Sequence, residues 1–161
     1  MDHDRIVRQH LVHLLTRPQA HITFDSAIKQ FPRDKMGCRI ENLEHTAWML
    51  LFHLRIVQWD ILEFCRNPDH ESPEYPSGYW PASDAPESVR EWNETEKQFR
   101  ADLKAMVALV QDSANDLYQP FEHGDGQTLL REAMLVADHN SYHIGQLVDI
   151  RMLCQCKVRD W

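Results

Sequence analysis

The sequence is short of glycine, with 5 in 161 residues. Folds built on tight β turns need more, so the scarcity points to helices. Cysteine is sparse as well, and Cys38, Cys65, Cys154 and Cys156 match neither a zinc-ribbon nor a thioredoxin spacing. The amino end, Met1-Asp2-His3-Asp4-Arg5, is charged and lacks the apolar run of a signal peptide. A cytoplasmic location with reduced cysteines is therefore expected. Basic charge is lacking too. The net charge is −8, and Lys and Arg are scattered singly. That excludes nucleic acid as a general partner, because phosphate binding needs clustered cations. No stretch approaches the roughly 18 consecutive apolar residues of a membrane span, so no membrane partner is expected.

What is present reads as one soluble domain over residues 1–161, 43% hydrophobic and 26% charged. Four long stretches carry helical periodicity. The first covers about 3–16, after Asp2, with Ile6, Val7, His10, Leu11 and Leu14 on one stripe; His10 reads as a core or edge histidine bonded to a carbonyl. A short amphipathic turn follows Thr23 and reaches about Phe31. The second long helix starts at the N-cap Thr46 and runs to about Arg66, apolar on several sides, with His53 on the stripe Leu50, His53, Val57, Ile61, Phe64. A helix of that kind is central or touches a second subunit.

Residues 67–86 form the longest irregular stretch, with five prolines. Loops this long within a compact domain are usually functional. Its aromatic centre, Pro76-Ser77-Gly78-Tyr79-Trp80-Pro81, reads equally as a lid over a pocket or as a packed crossover. The third helix is placed from Pro86 or Glu87 to Gln111; Glu96 falls on its apolar stripe and is read as a solvated position at the bundle's end. The fourth runs from Gln127 or Thr128 to about Leu153. Just beyond it, Cys154 and Cys156 could chelate a metal only if the helix has ended, and packing is the simpler reading. The expected fold is an all-α four-helix bundle with one short extra helix and a long Pro-rich crossover loop.

Ten histidines are present, and two of them, His139 and His143, stand four apart in the last helix. At that spacing both imidazoles lie on one face, one turn apart, and can converge on one metal ion. His53, on the apolar stripe of a core helix, is the best third ligand; His45 competes but lies at or before its helix start. Three neutral imidazoles would leave open positions on a divalent transition metal. Zinc or nickel suits them best, with iron, manganese and copper also admissible. Asp138 and Glu132 are candidate acceptors for the N–H groups of the ligand rings, which would orient them toward the metal. No Ser-His-Asp or Cys-His pair appears as a rival nucleophile. The expected chemistry is activation of a metal-bound water or thiolate.

Several segments together resemble the DinB-like family of bacterial four-helix-bundle metalloproteins. They are Ala20-His21, His45-Thr46-Ala47-Trp48, Leu50 to Ile61, Ser77 to Pro81, Gly124 to Glu132 and Asp138 to Leu147. Carried over position by position, the resemblance implies a metal triad at His53, His139 and His143, an up-down-down-up bundle and a homodimer. Three features depart from the family pattern: Ala47, where close relatives often have Pro, Phe52, where many have Glu, and the tail Cys154-Gln155-Cys156-Lys157. The resemblance implies a metal-dependent hydrolase or a low-molecular-weight-thiol transferase acting on a small electrophilic molecule. The alternative is a non-catalytic metal- or ligand-binding, stress-response protein.

Overall fold

A computed structural model describes residues 2–154. Within it the chain is all-helical. Helix α1 spans His3–Thr16, α2 Phe24–Ile28, α3 Ala47–Arg66, α4 Val89–Gln111 and α5 Leu129–Leu153, with short 3-10 turns at Arg33–Lys35 and Ser77–Tyr79. The second half of the Cys154–Cys156 pair lies outside the described residues.

The five helices begin where the sequence offers a side-chain oxygen to their free N–H groups. Asp2 accepts from Arg5 N, Thr23 from Ser26 N, Thr46 from Met49 N, Ser88 from Glu91 N and Thr128 from Arg131 N. The start expected at Pro86 or Glu87 therefore moves to Val89, because Ser88 supplies a cap that Pro86 cannot. Likewise α2 stops at Ile28; Gln30 has φ 53, which breaks the helix before Phe31. Phe31 then turns inward against Trp92, with ring centroids 5.3 Å apart.

Cross-helix contacts fix the directions of the four long helices. Trp48 meets Trp92, and further along Gln58 Nε2 donates to Phe99 O at 2.7 Å, so α3 and α4 run parallel. His53 meets His139 and His143, while Leu62 clusters with Leu129 and Ala133 at the other end, so α3 and α5 run antiparallel. Arg8 near the start of α1 reaches Val110 O near the end of α4, so that pair is antiparallel. The result is the up-down-down-up bundle, in which α3 packs on both α4 and α5.

Two apolar clusters form the core. One gathers Trp48, Leu51, Leu54, Trp92, Phe99 and Leu147; the other gathers Leu11, Leu62, Met106, Val110, Leu117 and Leu129. Each fully buried large side chain contributes about 1.5–3 kcal/mol by leaving water. Polar groups close the bundle where these clusters meet the ends. Arg151 Nη1 donates to Ala27 O at 2.8 Å and so holds α2 against α5. Two expectations about single residues change. His10 is exposed, and Arg8 takes the buried place on α1. Glu96 is not solvated: its side chain is 18% exposed and accepts from Trp92 Nε1 at 2.5 Å and from Arg100 Nη1 at 2.9 Å.

Candidate metal centre

The sequence places His139 and His143 one turn apart on α5, and the antiparallel packing of α3 brings His53 to face them. One nitrogen from each of the three rings lies within 4.8 Å of the other two. His139 Nε2 and His53 Nε2 are 3.1 Å apart. Two nitrogens bound to one cation at about 2.1 Å stand about 3–3.4 Å apart, so this spacing fits a shared ion. Among the described residues no carboxylate or thiolate joins the cluster.

Two of the rings have their tautomer set by a partner. His53 Nδ1–H donates to the carbonyl of Tyr79 at 3.0 Å, which leaves Nε2 with a free lone pair. His143 Nδ1–H donates to Gln146 Oε1 at 2.7 Å, three residues further along the same helix face. His139 Nδ1 is buried; the Asn140 side chain interacts with that ring, yet neither Nδ1 nor Asn140 Oδ1 completes a hydrogen bond. A cation at the Nε2 atoms would replace the contact that His139 Nε2 and His53 Nε2 now make with each other.

Burial keeps these rings neutral. Loss of solvation is the main cause that pushes His139 down to about 3, helped by the neighbouring His143 and His53. The same cause pushes His53 down to about 4, against the opposing bond to Tyr79 O. His143 is lowered as well, again by burial first. Metal binding at neutral pH therefore displaces no proton from the coordinating atoms.

The crossover of residues 67–86 supplies the wall of the site. Trp80 lies flat on His53, with ring centroids 3.9 Å apart and an interplanar angle of 2°, and also stacks on His45 at 4.1 Å. Tyr79 touches His53 through its carbonyl, while its hydroxyl turns away and donates to Asp60 Oδ2 at 2.7 Å. Asp60 Oδ1 is met by His70 Nε2 at 2.7 Å. Asp60 on α3 thus clamps the crossover at two points, and the crossover in turn presents the carbonyl and the indole to His53. Nearer its end, Thr46 Oγ1 donates to Asp84 O at 2.6 Å.

The candidate site residues are thus divided by the structure. His53, His139 and His143 come together, and Tyr79 and Trp80 both touch His53. Asp138 is exposed and forms no hydrogen bond to a ring. Glu132 is 3% exposed and accepts from Arg131 Nη1 at 2.7 Å, two turns before His139. The atoms that do orient the rings, Tyr79 O and Gln146 Oε1, were not singled out in the sequence. A backbone carbonyl has no residue signature; Gln146, three positions after His143, had one. His45 stays outside the converging set and stacks on Trp80 instead. One further pair is brought together, His21 Nε2 and Ser141 Oγ at 2.8 Å. It is no nucleophile system: His21 Nδ1 faces the Ile22 carbonyl rather than a carboxylate, and Ser141 Oγ donates to Ala137 O at 2.7 Å.

A family model described as DinB superfamily matches residues 19–147, well over half of the chain and inclusive of all three histidines. No curated protein and no solved structure matches the chain.

Proposed function

The chain belongs to the DinB superfamily, and from that premise we propose that it is a metal-dependent enzyme acting on a small electrophilic molecule through His53, His139 and His143. The observation that carries this reading is the donor set: three neutral imidazoles, buried or half-buried, converge, and among the described residues no charged ligand joins them. A divalent metal held by such a set keeps positions open and lowers the pKa of the water or thiol it binds, for water from about 16 to about 7. The protein's own part is to hold the three nitrogens in place, through Tyr79 O and Gln146 Oε1. Its other part is to keep water off one side of His53 with Trp80. A hydrolase and a low-molecular-weight-thiol transferase both fit this arrangement. Imidazole donors favour zinc or nickel, then iron, manganese or copper.

Two measurements test the proposal. Metal analysis after purification without chelators is expected to give about one equivalent of a divalent transition metal per chain. Well under one equivalent, unchanged in His53→Ala, would remove the triad. Loss of an epoxide or chlorinated aromatic substrate is then followed with and without a low-molecular-weight thiol. Turnover that needs the thiol assigns the transferase, turnover without it assigns the hydrolase, and turnover equal to His53→Ala in both removes catalysis.

A second reading, a non-catalytic metal- or ligand-binding protein of the stress response, is favoured by one observation. Trp80 already occupies one face of His53 by stacking on it. A structural metal contributes folding energy outright, so on that reading chelation unfolds the protein. On the catalytic reading it lowers the melting temperature by only a few degrees. We further propose a cytoplasmic homodimer, supported by the exposed apolar side chains Met134, Tyr142 and Met152 on the outer face of α5. Sedimentation giving the mass of one chain at micromolar concentration would remove that part.

A further inference from the structure

A cavity of about 340 Å³ opens between α1, α2, α4 and α5, on a face of α5 turned away from the metal ligands. Its floor is apolar. Phe24 and Phe99 lie with ring centroids 4.0 Å apart, and Leu103 and Ile144 continue the wall. Its rim is cationic. Arg17, Arg100 and Lys104 border it, against Asp25 as the one carboxylate.

These charges are not equivalent. Arg100 is already matched, with Nε on Asp25 Oδ1 at 2.7 Å and Nη1 on Glu96 Oε2 at 2.9 Å. Arg17 and Lys104 are exposed, and the side chain of neither is engaged in an ion pair or hydrogen bond among the described residues. Single unpaired cations are common on surfaces. Two beside one apolar cavity, in a chain with 25 acidic and 17 basic residues, reverse the local sign of the molecule. An apolar interior with a few polar groups at one side is how small-molecule sites are built. His21 Nε2 and Ser141 Oγ, 2.8 Å apart, add a polar edge to the same wall.

We propose that this cavity binds a small amphipathic carboxylate. The chain, aliphatic or aryl and of roughly six to ten carbons, fills the space over Phe24, Phe99 and Leu103. The head is balanced at the rim by Arg17 and Lys104. A neutral ligand of the same shape leaves both cations without a partner, and an amine adds a third positive charge beside them. The site therefore selects by charge at the rim and by size in the cavity. It makes no use of the three histidines, so its success or failure is separate from that of the metal centre.

The test is calorimetric titration of the full-length chain, metal-loaded and metal-free, with octanoate, octanol and octylamine. Octanoate is expected to bind about tenfold more tightly than octanol, and octylamine more weakly than both. The double variant Arg17→Glu, Lys104→Glu is expected to lose octanoate by more than about tenfold while leaving octanol unchanged. Both substitutions are at exposed positions, and an unaltered melting temperature and metal content check that the bundle is intact. Val107→Trp, which fills the cavity from α4, should remove both ligands. Three results overturn the proposal: no octanoate binding at millimolar concentration, equal binding of octanoate and octylamine, or octanoate affinity unchanged in the double variant.

Discussion

Near the end of α4, Arg8 is 8% exposed, and between α3 and α5 His53 is 9% exposed. Both are polar groups inside an apolar bundle, where an unmatched donor or acceptor costs about 1–3 kcal/mol. Arg8 is matched within the protein. Its Nη1 donates to Val110 O at 2.8 Å and Asp112 O at 3.0 Å, its Nη2 to Asn115 O at 2.6 Å and its Nε to Asp4 Oδ2 at 2.7 Å. It puts a positive charge on the carbonyl end of α4, where the helix dipole favours one. His53 has a carbonyl partner on Nδ1 and, on Nε2, only another imidazole. Its Nε2 faces His139 Nε2, and among the described residues no carboxylate joins them. The two clusters teach how to tell a polar group that serves the fold from one that awaits a ligand. The first has its partners in the chain, and the second has ring nitrogens that meet only one another.

The comparison breaks most sharply with His53→Ala. It is expected to weaken metal binding by more than about 100-fold, beyond the range seen when only an outer partner of a ligand is lost. The metal-free protein should lose about 1–2 kcal/mol, because Tyr79 O loses its donor and Trp80 its stacked ring. Competition with a chromogenic chelator reads the first quantity and urea unfolding the second. Arg8→Met is the mirror image. It leaves three carbonyls without their donor and should cost about 2–4 kcal/mol of stability. Metal affinity should stay within about threefold, because the sites share no partner. If Arg8→Met also released the metal, the two clusters would not be independent and the contrast would fail.

Protonation gives a third contrast, of smaller size. In the metal-free protein His53 and His139 are held at about 4 and about 3, below the usual 6.5. The unfolded chain takes up protons as pH falls through about 6.5, while the folded chain does not until its own lower values are reached. Stability present above 6.5 is therefore lost as pH falls toward 4, by about 1–2 kcal/mol between pH 7 and 6 for the group of rings. His53→Leu should flatten that dependence, whereas the cost of Arg8→Met should be the same at both pH values. Urea midpoints of metal-free protein at pH 7 and 6 decide it; identical wild-type midpoints would show that the rings are not held neutral by burial.

The sequence made the triad legible and Arg8 illegible for the same physical reason. His139 and His143 are related by local helix geometry, and His53 stood out because an imidazole sat within an apolar stripe. Arg8 is buried by partners 102 to 107 residues away, and local periodicity assigns a charged side chain to solvent. Its place was given instead to His10, which is exposed. Glu96 was misplaced likewise, since its partner Trp92 is a tryptophan N–H on the same helix rather than solvent. The bundle itself was readable from caps and periodicity, because both are local. The outer partners of the ligands were not, since Tyr79 O arrives from a crossover whose course depends on long-range contacts.

That crossover sets up the smallest and most discriminating test. Asp60 accepts from Tyr79 Oη and meets His70, and Tyr79 is the residue whose carbonyl fixes the His53 tautomer. Burial and the Asp60 bond push the Tyr79 hydroxyl up to about 12, so it stays a donor throughout the working range. Tyr79→Phe deletes that donor and keeps the carbonyl. If the crossover only completes the fold, the variant loses about 1 kcal/mol of stability and binds metal as before. If the clamp positions the ligand, the carbonyl drifts from Nδ1 and His53 is less firmly held in the required tautomer. Metal affinity then falls by about threefold to tenfold, near the lower end of what losing an outer partner costs. Trp80 emission, quenched by the stacked imidazole, should rise in parallel. An affinity loss accompanied by that change would place the crossover with the unfinished cluster rather than with the finished one.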